Sequence, residues 1–152
     1  MFIGTYYHTL EEKGRVSFPK KFREFSAEWV ITRGLDGGLF VVPQTQFAVE
    51  MQRLSALSFT KKANRDLIRL MANQAEACRL DEMGRFLIPE ALRATAQLTK
   101  QVVIIGSYHY VEVWDQALYH EYLDQAVSRA EDIAEQVTLP VIGHQQEKVS
   151  HA

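Results

Sequence analysis

The segment LEEKGRVSFPKKFRE, residues 10–24, returns without a gap 70 positions later as LDEMGRFLIPEALRA, residues 80–94. Leu10, Glu12, Gly14, Arg15, Pro19 and Arg23 reappear as Leu80, Glu82, Gly84, Arg85, Pro89 and Arg93, where ordinary composition would give about one identity. The likeness runs on into a unit of about 45 residues. TYYHTL and AEACRL read as strands, each entering an acidic, glycine-containing turn that leads to a second strand, RVSF or RFLI. Gly14 and Gly84 suit a tight turn with positive φ, and Asp81 can close one through its carboxylate. Pro19 and Pro89 then end the strand and suit the first position of a short helix. WVITRG and VVIIGS follow, then LFVV and VEVW, all rich in strand formers. The order strand, strand, short helix, strand, strand therefore occurs twice.

Four short strands cannot cover both faces and both edges of a sheet, whereas two copies can. At 152 residues, 47% of them hydrophobic, the chain suffices for one ordinary core, and two separate domains would each be marginal. The expected fold is α+β with a mainly β core, its halves packed in a pseudo-two-fold arrangement with flanking α-helices. The first half, 1–74, carries two trailing helices, marked by the spacing of Phe47, Met51, Leu54 and Leu57 and then of Leu67, Ile68, Leu70 and Met71. The second, 75–137, ends in a helix N-capped by Asp115, with Leu118, Tyr122, Ala126, Ile133 and Val137 broadly on one face. Beyond, 138–152 loses periodicity and reads as a flexible tail.

Several function classes find no support. The five histidines lack metal-ligand spacing, and the acidic pairs Glu11–Glu12 and Asp81–Glu82 suit turn closure better than acid/base work. No phosphate loop, dinucleotide fingerprint or nucleophile elbow is present. The expectation is a protein without enzymatic activity, cofactor, metal or small-molecule substrate. Cys78 is the single cysteine and reads as a small strand residue. With no basic leader before an apolar run and no apolar stretch near the ~20 residues a bilayer requires, a cytoplasmic location without membrane contact is expected.

The net charge of −2 hides a sorted distribution: residues 1–70 hold 11 Lys and Arg against 7 Asp and Glu, residues 71–152 hold 6 against 12. Such polarity can offer a basic face to a polyanion, or its two parts to other copies of the chain. Lys13, Arg15, Lys20, Lys21 and Arg23 fall within eleven positions on a turn, a strand start and a helix start, within reach of a phosphate backbone. Arg15 and Arg85 recur at one place in the repeat, a related pair suited to a ligand with its own repeat. The alternative is internal pairing, Arg15 with Glu11 and Arg85 with Asp81. Arg23 and Arg93, one turn into their helices, suit either phosphate contact or structural pairing.

The paired LEEKGR and LDEMGR turns, the FP or IP after them, the offset of 70 and the VEVWD segment resemble the MraZ family of bacterial transcriptional regulators up to about residue 137. Each half is similar to a swapped-hairpin module of the SpoVT-AbrB type. The family's Asp-x-x-x-Arg motif falls on Asp81 and Arg85, and in the first copy on Glu11 and Arg15, where glutamate adds a methylene. The resemblance implies a nucleoid-associated, DNA-binding regulator of its own cell-division and cell-wall operon. It would bind tandem promoter repeats in double-stranded DNA as a ring-shaped homo-oligomer. DNA contact would come from Lys13, Arg15, Lys20, Lys21 and Arg23, with Arg85 and Arg93 in the second copy. Met83, Glu90 and Ala91 replace three lysines there, so the first copy should carry more of the phosphate contact. The alternative is a ring-forming scaffold of the same fold that binds a protein and not DNA.

Overall fold

The computed structural model describes residues 1–137, so the expected tail at 138–152 lies outside the described residues. The protein is α+β, with a mainly antiparallel sheet and several helices. In chain order the elements are β1 (Thr5–Thr9), β2 (Arg15–Ser17), α1 (Lys20–Arg23), β3 (Glu28–Arg33), β4 (Leu39–Pro43), α2 (Gln44–Ser55) and α3 (Lys62–Ala72). Then follow β5 (Glu76–Arg79), β6 (Arg85–Leu87), α4 (Glu90–Thr95), β7 (Gln101–Gly106), β8 (Val111–Asp115), α5 (Gln116–Ser128) and α6 (Ala130–Gln136). By compactness, residues 1–120 form one unit, and the described residues from 121 to 137 belong to a second that holds the rest of α5 and α6.

Six strands form one sheet in the order β1-β7-β8-β4-β3-β5, and β2 pairs with β6 in a second, two-stranded sheet. Each half thus lends its first strand to the other. β1 lies on β7, with Tyr7 opposite Val103, and β5 lies on β3, with Trp29 opposite Cys78. In the small sheet Val16 faces Phe86, flanked by Arg15 opposite Leu87 and Ser17 opposite Arg85.

Burial explains the strand sequences. β3 and β7, inside the sheet, carry the unbroken apolar runs Trp29–Ile31 and Val102–Ile105, because both faces are covered. The edge strands β1 and β5 are more polar, as unpaired edges tend to be. One cluster takes residues from both halves: Phe18, Phe22, Trp29 and Ile31 from the first meet Phe86, Ile88, Leu92 and Ile104 from the second. Each such side chain is worth about 1.5–3 kcal/mol of burial. Phe18 is central to it, its ring 4.7 Å from Trp29, 5.8 Å from Phe22 and 5.4 Å from Phe86.

Two expected details differ. Pro19 and Pro89 precede their helices as N-cap residues, with ψ of 134° and 146°, because their carbonyl side is still extended where the chain leaves the small sheet. The helix expected over 116–136 breaks at Arg129, whose φ of −116° and ψ of 17° interrupt it, with the Arg129 N–H turning back to the Ala126 carbonyl. At its start the expected cap is present. Asp115 Oδ2 accepts from the Leu118 N–H, while Oδ1 accepts from the Thr99 N–H and hydroxyl.

Candidate nucleic-acid interface

Antiparallel pairing of β2 with β6 joins the two glycine turns through one short ladder, one turn at each end. Their backbones match. Glu11 N–H donates to the Arg15 carbonyl and Gly14 N–H to the Glu11 carbonyl; Asp81 N–H and Gly84 N–H make the same bonds to the carbonyls of Arg85 and Asp81, all at 2.8–2.9 Å. Gly14 and Gly84 have φ of 89° and 74°, the left-handed region where a side chain is strained. The bonds Phe18 N–H to Gly84 O and Ile88 N–H to Gly14 O then tie each strand's exit to the opposite turn.

The side chains of the turns diverge. Asp81 Oδ1 accepts from the N–H groups of Met83 and Arg85, and its Oδ2 from Arg85 Nε, all at 2.9 Å. The Arg85 N–H, with the Arg85 guanidinium and the Met83 N–H adding to it, holds the Asp81 carboxyl below the usual aspartate range. Asp81, and then Glu11, correspondingly raise the Arg85 guanidinium above its ordinary value. Glu11 does not close its own turn: its Oε2 accepts from Arg85 Nη1 at 2.9 Å across the small sheet. The internal pairing considered from sequence therefore holds for Arg85 with Asp81 but not for Arg15 with Glu11. Arg15 instead has Nε 4.0 Å from Asp81 Oδ2. Its side chain is 44% exposed, against 24% for Arg85.

Arg23 and Arg93 take a second, shared position. Arg23 Nε donates to the Phe18 carbonyl at 2.8 Å and Arg93 Nε to the Ile88 carbonyl at 3.0 Å. Each guanidinium lies over the opposite half's glycine, Arg23 on Gly84 and Arg93 on Gly14. Both are thus anchored to backbone through Nε. Beside Arg23, the His8 imidazole is pushed to lower pKa by burial and then by the guanidinium charge. Nothing in the spacing of His8 pointed to this contact.

The basic run seen in sequence is split in space. Lys13 and Arg15 belong to the first turn, while Lys20 and Lys21 open α1, which begins where Phe18 bonds to Gly84 of the second turn. All four side chains are exposed, and among the described residues Lys13, Lys20 and Lys21 have no ion pair. Among the same residues no cluster of three His, Cys, Asp or Glu side chains could hold a metal, and no helix is long and apolar enough to cross a membrane. Burial, and then Glu76, pushes the Cys78 thiol up to about 12, so it stays protonated against the core. A groove of about 430 Å³, lined by Phe40, Phe47, Met51, Leu67 and Met71 among others, opens where α2 and α3 cover the sheet. The helical spacing of Phe47, Met51 and Leu67 marked its walls in the sequence.

Comparison with known proteins bears on these two turns together. The family described as "MraZ protein, putative antitoxin-like" matches residues 1–70 and again 71–139. The chain is 43% identical over 138 residues to a protein of Carboxydothermus hydrogenoformans named transcriptional regulator MraZ, covering 90% of this chain and 96% of that one. Proteins of the same name from Pediococcus pentosaceus and Moorella thermoacetica are each 40% identical, over 89% and 90% of this chain and 95% and 96% of theirs. A solution structure from Pyrococcus horikoshii is similar at 14% identity over 74% of this chain and 88% of that one, with a TM-score of 0.31, too low to bear on the fold. The family pattern thus occurs twice, once around each glycine turn, and the chain belongs to the MraZ family.

Proposed function

We propose that this protein is a DNA-binding transcriptional regulator that acts at the nucleoid on the promoter repeats of its own cell-division and cell-wall operon, as a ring of identical subunits. One observation carries the DNA-binding part: antiparallel pairing of β2 with β6 sets the two glycine turns at the two ends of one short ladder, with Lys13, Arg15, Lys20 and Lys21 exposed around them. Guanidinium and ammonium groups on a rigid backbone suit phosphate oxygens and guanine edges. Arg15, Lys13, Lys20 and Lys21 are the leading contacts, with Arg23, Arg85 and Arg93 contributing from anchored positions. We read the two halves, 1–74 and 75–137, as swapped-hairpin AbrB-type modules about a pseudo-two-fold axis. The register of β2 on β6 supports this, because Val16 and Phe86 hold the same place in the two copies and face each other.

The ring follows from the family resemblance and is in keeping with the physics. A subunit with a few basic contacts and net acidic charge binds DNA weakly, whereas a ring engaging several repeats at once gains through effective concentration. The opposite charge of the chain's two halves suits contacts between copies.

The test is fluorescence anisotropy with the duplex upstream of the protein's own coding region, at several salt concentrations, with light scattering for subunit number. The wild type is expected to assemble and to bind with strong salt dependence. Arg15→Ala should lose tenfold or more in affinity, and Arg85→Ala less. A folded assembly that ignores this duplex would overturn the regulator reading, and a monomer would overturn the ring.

A further inference from the structure

We propose that Glu11 is a positioning residue that draws the Arg85 guanidinium away from the DNA face, so that the two related arginines act unequally and Arg15 leads. The inference rests on the DNA-binding reading and deepens it. Arg85 faces two carboxylates, Asp81 at Nε and Glu11 at Nη1, both at 2.9 Å, whereas among the described residues Arg15 has a single carboxylate, at 4.0 Å. A phosphate approaching Arg85 therefore meets a guanidinium whose charge is already offset and whose donors are partly taken.

Arm length lets Glu11 do this. Its turn is closed by backbone alone, so its carboxylate is free, and the extra methylene of glutamate carries it across to the other half. Asp81, one methylene shorter at the related position, folds back on its own N–H groups. An aspartate at position 11 would have the same choice, and the first turn offers the same backbone geometry. The pair is partly exposed, and exposed pairs are weak, so Glu11 biases Arg85 and does not lock it.

Glu11→Asp is the discriminating variant because it keeps the charge and removes the reach. In the full chain carrying Arg15→Ala, where an aspartate at position 11 has no guanidinium of its own turn to hold, Glu11→Asp should bind the upstream duplex about 3- to 10-fold tighter, with a salt slope steeper by about 0.9, the increment of one added phosphate contact. Arg85→Ala should then cost more affinity in the Glu11→Asp background than in the wild type. Equal or weaker binding by Glu11→Asp in that Arg15→Ala background would overturn the proposal. So would tightening by Glu11→Gln alone that persists with Arg85→Ala, since charge removal would explain it. A second readout needs no DNA: nitrogen-15 NMR of the guanidinium should show slow rotation of Arg85 in the wild type and faster rotation in Glu11→Asp and Glu11→Gln. If the wild type fails to bind DNA, the regulator reading falls. The NMR result then judges the Glu11–Arg85 contact alone, and unchanged rotation overturns it.

Discussion

The first and second glycine turns share a backbone and differ in what their carboxylates do. Both are closed by the same two main-chain bonds and both hold a glycine at positive φ. In the second turn Asp81 satisfies two N–H groups and its own arginine, making a self-contained unit. In the first, Glu11 leaves its turn and spends its carboxylate on the opposite half. One methylene thus separates a turn that holds its arginine from one that leaves it exposed. Repetition of a sequence motif copies backbone geometry more faithfully than side-chain partnership.

Two substitution pairs and one single substitution test how far the halves are equivalent. The largest effect is expected in the shared core. Phe18→Ala and its counterpart Ile88→Ala should cost about 3–5 and about 2–5 kcal/mol in urea denaturation, because both leave cavities in the same cluster. Unfolding should remain one transition in both, and two separated transitions would show that the halves are independent. The glycines come next. A Cβ at Gly84 would overlap the Arg23 guanidinium, and one at Gly14 would lie 3.0 Å from Arg93 Cζ and from the Ile88 carbonyl. Gly84→Ala should therefore cost about 2–3 kcal/mol, combining left-handed strain with a lost Arg23 hydrogen bond, and Gly14→Ala about 1–2. Equal losses would mean that the guanidinium over Gly84 moves aside freely.

The smallest effect concerns pH. Because the folded state holds the Asp81 carboxyl below its ordinary value, its contribution is fully present above the unfolded pKa of about 3.9 and is lost as pH falls through the lowered one. Asp81→Asn should flatten the acid limb of the stability curve while leaving its shape above about pH 5 unchanged. An acid limb identical to that of the wild type would mean that the hydrogen bonds at Asp81 do not favour the charged form.

Much of this architecture was legible because its signals are local. Gly14 and Gly84 marked the turns, the run Val102–Ile105 marked a strand, and Asp115 marked a helix start. The break at Arg129 was not legible, since the apolar spacing runs through it. Nor was the separation of Lys13 and Arg15 from Lys20 and Lys21, because three residues of β2 carry the chain from one turn to the other. The partners of Arg23 and Arg93 were equally hidden, each being a backbone carbonyl together with a glycine some 60 to 80 positions away.

By itself the sequence determined that two copies of one strand-rich plan exist, where each turn lies, and which cations accompany it. These are properties of φ, of side-chain period and of composition, and they act within a few residues. The tertiary structure alone decided that β1 pairs with β7 and β5 with β3, that each arginine of the short helices covers the other half's glycine, and that Glu11 reaches Arg85. Those outcomes depend on which edges and side chains meet when one core closes, and that choice is made by packing over long separations.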